Sequence, residues 1–174
     1  MNIIKVFGAS LFVFSSWFIG VMKSNSYIKR IEELKELTII LTRLETQISY
    51  TNINLPAAFK TVVNENEGII YKIFIMVSEL LLSGEGYTVT EAVEITLKMY
   101  SKQIYLTNED LNILKTMSFA MGSFGKDDQI KHIELAVKML EENRKRAEIE
   151  MTGKLKLWPS IGFLLSSIIV LVML

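Results

Sequence analysis

The chain has no cysteine, only two prolines and a single histidine among its 174 residues. Without cysteine no disulfide can staple it, which fits a domain on the cytosolic side of a membrane. With His132 as the one imidazole, most metal-site and nucleophile–base arrangements are excluded. The prolines are Pro56 and Pro159, and no Gly/Ser-rich or Pro-rich linker, low-complexity tract or fixed-period repeat divides the middle of the chain. Gly84-Glu85-Gly86 is a fragment of a phosphate loop that lacks the basic residue such loops require. Zinc-ligand spacing and a Ser/His/Asp set are missing too, and Asp128 with His132, one helical turn apart, reads as a solvated helix pair. No catalytic residue, cofactor-binding residue or metal ligand is therefore expected, and no nucleic-acid partner.

What the chain does have is apolar ends. Ile3 to Met22 and Trp158 to Leu174 are almost free of charge. All 19 Asp and Glu, and all of the 19 Lys and Arg except Lys5, lie within residues 23–156. A helix rises about 1.5 Å per residue, so roughly twenty apolar residues cross a hydrocarbon core of about 30 Å. The first segment suffices for that. The second does so once Leu155 and Leu157 join it and Lys154 and Lys156 reach toward the headgroups. This predicts transmembrane helices over residues 3–22 and 155–174, around a domain over residues 23–153.

Orientation follows the basic residues next to the membrane. Lys23, Lys29 and Arg30 follow the first span, while Arg144, Lys145, Arg146, Lys154 and Lys156 precede the second. The central domain is thus expected to be cytosolic. The Arg144-Lys145-Arg146 triplet serves as an orientation signal or as a contact with anionic lipid. Phe18-Ile19-Gly20-Val21-Met22-Lys23 lacks two small residues at the spacing that signal peptidase reads, so an uncleaved anchor is expected. Ser16 and Gly20 on the first span, and Gly162 and Ser166 on the second, stand four apart and are candidate packing positions between the anchors.

Between the anchors the pattern is helical throughout. Leu34, Leu37, Leu41, Leu44 and Ile48 alternate steps of three and four through Tyr50, and Glu32, Glu33, Lys35, Glu36 and Arg43 fall on the faces expected to meet water. Thr51 to Asn54 breaks that helix, and Pro56 suits the first turn of a short one ending near Val63. Ile69 to Leu82 is very apolar, but with Lys72 and Glu79 inside it and fewer than the roughly twenty residues a span needs, it reads as the central helix of a bundle. Ser83 to Gly86 ends it. Capping boxes at Thr88 with Glu91 and at Thr107 with Asp110 open two further helices. The first bears Ala92, Val93, Leu97 and Tyr100, the second Leu111, Leu114, Phe119 and Met121. After Gly125 a last helix carries a seam of Ile130, Ile133, Val137, Leu140, Arg144, Ala147 and Met151, with Gly153 and Pro159 as points where it could bend.

Leu44-Glu45-Thr46-Gln47-Ile48-Ser49-Tyr50, followed by Leu55-Pro56-Ala57-Ala58-Phe59, resembles the Leu-Glu-x-Glu-Ile-x-Tyr and Pro-Leu segment of the stage III sporulation protein AB family. Gln47 stands for a Glu, and Leu55-Pro56 inverts the usual order. Met117-Ser118-Phe119-Ala120-Met121-Gly122, leading to Gln129-Ile130-Lys131-His132, is similar to the family's Leu-Gly-x-x-Leu-Gly, with Ser118 at the first Gly. The layout of anchor, helical domain, basic helix and terminal anchor matches from end to end.

The resemblance implies an all-α fold, an antiparallel bundle of about six helices flanked by N- and C-terminal transmembrane helices and similar to platform proteins of type II secretion and type IV pili. It implies a non-enzymatic scaffold in the mother-cell membrane around the forespore. The partners would be a cytosolic secretion-type ATPase, other subunits of the channel complex between mother cell and forespore, and membrane lipid. A membrane-anchored adaptor or receptor unrelated to sporulation is the alternative, and an enzyme a third reading that finds no catalytic geometry. Gly122, Phe124, Gly125, Asp128 and Gln129, at the turn before the last helix, form the candidate partner interface: two glycines allow a tight turn or the close approach of another chain, and Phe124 is either a staple or a binding aromatic.

Overall fold

The computed structural model describes the backbone of residues 3–51, 53–63, 68–123 and 125–173, and within these the side chains between residues 25 and 152. Among the described residues there are six helices and no strand: α1 (Ile3–Tyr50), α2 (Leu55–Thr61), α3 (Ile69–Leu82), α4 (Val89–Tyr100), α5 (Asn108–Ser123) and α6 (Lys126–Met173). The chain divides into two units, one of Arg30–Lys145 and one of Met1–Lys29 with Arg146–Leu174. Both long helices, α1 and α6, therefore contribute to each unit. Among the described residues no helix is long and apolar enough to cross a membrane; the two terminal segments expected to do so have side chains outside them.

Local chemistry sets the helix ends. The Asn54 side chain accepts the Ala57 N–H at 3.1 Å and Pro56 lies in the first turn, which starts α2 where the sequence places it. That helix ends at Thr61, two residues before the expected stop. At the start of α4 the capping box is complete: Thr88 Oγ1 accepts the Glu91 N–H at 3.3 Å, and Glu91 Oε2 accepts the Thr88 N–H at 2.8 Å. Between α3 and α4 the chain reverses through Gly84 and Gly86, both at φ 80°, a backbone region that side chains with a Cβ avoid.

Burial follows the helical period. In α1, Leu34, Leu37, Ile40, Leu41, Leu44 and Ile48 are buried, as the stripe requires. Consecutive helices pack on one another, α2 on α3, α3 on α4 and α4 on α5. The rings of Phe59 and Phe74 stack across the first of these pairs with centroids 5.7 Å apart. Ser78 adds a hydroxyl bond to the Pro56 carbonyl at 3.4 Å.

Several expectations need correction. The apolar helix α3 is not central: Ile70, Ile73, Phe74 and Val77 are buried, but Ile75 is 41% exposed and Leu82 55%, so only one face is covered. Phe119 in α5 is 60% exposed, because it falls out of phase with Leu114, Met117 and Met121. The buried seam of α6 runs through Ile133, Ala136, Leu140, Asn143 and Ala147, so Asn143 rather than Arg144 occupies the polar step. The backbone of α6 stays helical past Gly153 and Pro159.

The polar side of α1 departs furthest from expectation. Glu33 is buried, and its Oε2 accepts the backbone N–H of Tyr105 at 2.7 Å, a donor in the loop between α4 and α5 that no helix satisfies. Glu36 is half-buried, and its carboxylate lies so close to Gly68 that a Cβ there would collide with it. Burial, with Glu32 nearby, raises the Glu36 carboxyl above its ordinary value. Arg43 buries its Nη1 with no hydrogen-bond partner among the described residues.

Candidate functional site

The turn between α5 and α6 is where sequence reasoning sets the partner surface. Gly122 falls in the last turn of α5 and Gly125 just before α6, and both are exposed. Neither has positive φ, and a Cβ added to either meets nothing within 4 Å. The backbone there does not require glycine, so the tight-turn argument for these two positions does not hold. Asp128 is exposed and pairs with Lys131 at 3.3 Å, one turn along α6. Gln129 reaches back across the turn, donating from Nε2 to the Met121 carbonyl at 2.9 Å, which closes one of the free carbonyls at the end of α5. Phe124 lies outside the described residues, as do the side chains of Ser16, Gly20, Gly162 and Ser166.

At the opposite end of α5 the structure assembles a polar cluster that sequence reading reduced to a helix cap. Thr107 and Asp110 do form the cap: Asp110 Oδ2 accepts the Thr107 N–H at 2.9 Å and its hydroxyl at 2.8 Å. Asp110 is also completely buried, and two other helices reach it. Arg30 of α1 donates Nε to Oδ2 at 2.9 Å and Nη2 to Oδ1 at 3.2 Å, a two-pronged ion pair. Asn143 of α6, itself buried, donates Nδ2 to Oδ1 at 2.8 Å. Burial by itself would raise the Asp110 carboxyl; the bonds from Arg30, Thr107 and Asn143 outweigh it and hold the group below the usual carboxylate range. The sequence signals for this cluster were faint: an Asn in phase with the α6 seam, and a basic residue three positions before a Glu that also proves to be buried.

Between these two ends α5 and α6 leave a groove of about 230 Å³. Ile113, Met117, Leu135, Ala136 and Met139 make it chiefly apolar, and His132 lines it as well. Among the described residues no group of three or more His, Cys, Asp or Glu is placed to hold a metal ion.

Six helices among the described residues and a compact unit built from residues 30–145 define an all-α bundle protein. Its family follows from comparison with known proteins. The family model for stage III sporulation protein AB matches residues 5–174, and the chain belongs to that family. It is 26% identical over 170 residues to stage III sporulation protein AB of Bacillus subtilis (strain 168), spanning 98% of this chain and 99% of that protein. A solved structure of stage III sporulation protein AB superimposes with a TM-score of 0.65 at 25% identity, covering 71% of this chain and 97% of the other. Family membership and the helical bundle thus agree with the reading of the sequence.

Proposed function

We propose that this protein is a non-enzymatic platform in the mother-cell membrane surrounding the forespore. In this reading residues 3–22 and 155–174 are its anchors, and residues 23–153 a cytosolic helical domain that contacts a secretion-type ATPase and other subunits of a channel complex between the two cells. The observation that carries the reading is a match to a sporulation family along residues 5–174, joined to a helical unit in which buried Asp110 binds Arg30 and Asn143 from two other helices. Apolar terminal segments with basic residues on their inner flanks support the membrane placement and its direction. Gly122, Phe124, Gly125, Asp128 and Gln129 remain the proposed partner surface, and Ser16, Gly20, Gly162 and Ser166 the proposed contact between anchors.

The test is photo-crosslinking in sporulating cells from a reactive residue at Asp128 or Ser123, with identification of what is captured. Recovery of an ATPase together with membrane-complex subunits is the expected result. Capture of neither, in cells where the full chain is present and membrane-bound, would remove the platform reading.

A further inference from the structure

The polar cluster at Asp110 has a geometry that helix capping does not need. A cap requires Thr107 and Asp110 alone. Here the carboxylate also takes donors from α1 and α6, and each of those helices buries a stripe at alternating steps of three and four: Leu34, Leu37, Leu41 and Leu44 in α1, Ile133, Ala136, Leu140 and Asn143 in α6. Such a stripe nearly repeats every seven residues. Apolar packing therefore discriminates poorly between the native alignment and one displaced by a heptad, about 10 Å along the axis.

Asp110 breaks that near-repeat. Shifting α6 by seven residues would put Ala136 or Glu150 where Asn143 stands, and neither donates a hydrogen bond to a carboxylate. Shifting α1 in one direction would put Leu37 in the place of Arg30. Either displacement leaves a fully buried carboxylate short of partners, a far heavier penalty than imperfect apolar contact. Buried ion pairs add little net stability over well-packed apolar groups, and their best-attested use is to select one register. The cluster also lies at the border of its unit: Arg30 is the first residue of the unit Arg30–Lys145, and Asn143 is near the last.

We infer that Asp110 is a positioning residue, a clasp that fixes the register of both α1 and α6 against α5. Its purpose is alignment of the two long helices rather than strength.

The test uses the full chain, which has no cysteine of its own and so accepts spin labels at chosen sites. Cysteines at the exposed positions Lys115 and Glu32 report on α5 against α1, and cysteines at Lys115 and Glu141 on α5 against α6. In the parent chain each pair should give one narrow distance distribution. In the variant Arg30→Met/Asp110→Leu/Asn143→Leu, the helix content should be kept. The distributions should broaden or gain a component displaced by up to the ~10 Å of a heptad shift. Two outcomes would overturn the inference: the triple variant folds and keeps both narrow distributions, or it loses its helix content, which would make the cluster a source of stability instead of alignment. Asp110→Leu alone, with Arg30 and Asn143 left unpaired, should lose more in melting temperature than the triple variant does; the reverse ranking also counts against the clasp.

Discussion

The two ends of α5 are built in opposite ways. At the first, Asp110 has no exposed surface and draws Arg30, Thr107 and Asn143 onto one carboxylate. At the other, Gly122 and Gly125 have no positive φ and nothing among the described residues within 4 Å of an added Cβ, and a side-chain bond from Gln129 spans the turn. One helix end is thus committed to the interior of its own unit. The other leaves Gly122 and Gly125 exposed, with room for an added Cβ.

The sharpest way to break that contrast is Asp110→Leu. Removing Asp110 leaves buried Asn143 and the part-buried Arg30 short of their acceptor, which costs up to about 3–5 kcal/mol. For a unit of this size that is a large share of the total stability, and the melting temperature should fall by roughly ten degrees or more. Calorimetry or thermal circular dichroism measures it. A fall of only a degree or two would mean that Arg30 and Asn143 find water once the carboxylate is gone, and that the first end of α5 is no more committed than the second.

Acid titration sharpens the same point. Asp110 is held below its ordinary value in the folded chain, so its contribution to stability is complete above about pH 3.9, the usual Asp value, and is lost as pH falls through the lowered one. Glu36 works with the opposite sign, since its carboxyl is raised by burial: it weakens the fold when ionised, and that cost lifts as pH falls through its raised value. Stability measured against pH should therefore lose its steep acid limb in Asp110→Asn. It should rise near neutral pH in Glu36→Gln. A wild-type acid limb in Asp110→Asn would show that other carboxylates set it.

Ser118, midway along α5, gives an intermediate effect. It is fully buried, donates its hydroxyl to the Lys115 carbonyl at 2.8 Å, and stands where the resemblance expects glycine. Full burial favours a small residue at that position. Ser118→Leu should cost about 1–3 kcal/mol through overpacking, while Ser118→Ala should stay within about 1 kcal/mol of the parent. Equal melting temperatures for the two would mean that the neighbouring side chains make room, and the smallness of the residue would then have no structural cause.

Sequence reading succeeded for most features that one helix decides alone. The α1 stripe, Pro56 in the first turn of α2, the bounds of α3 and the capping boxes at Thr88 and Thr107 depend on residues close in sequence, and all of them stand in the structure. It failed where a side chain answers to a distant segment. Glu33 falls off the apolar stripe and is expected to meet water, yet it is buried and accepts the N–H of Tyr105, 72 positions away. Asp110 was read as a cap because Arg30 and Asn143 are 80 and 33 positions off. Periodicity also erred at Phe119 and Arg144, where size or seam spacing suggested burial and the actual packed faces run through Met117 and Asn143. The candidate partner surface was legible only as a turn. Glycines there allow either a tight turn or the close approach of another chain, and the backbone angles and open space at Gly122 and Gly125 bear only on the first.

That leaves the smallest effect, which bears most directly on function. Gly122 lies in the last turn of α5, at a backbone angle any residue adopts and with nothing near an added Cβ. Replacing a helical glycine with alanine reduces the freedom of the unfolded chain, so Gly122→Ala should stabilise the protein by about 0.5–1 kcal/mol. Glycine at this place is then unfavourable to the fold that contains it. If another chain approaches the α5–α6 turn closely, the added methyl group should obstruct it, and the variant should melt higher than the parent while ATPase capture and spore formation fall. Parallel measurement of melting temperature and crosslinking yield separates the cases. A more stable variant with full capture removes Gly122 from the proposed surface, and a less stable one means that the end of α5 is more tightly packed than its open surroundings indicate, which would erase the contrast between the two ends of the helix.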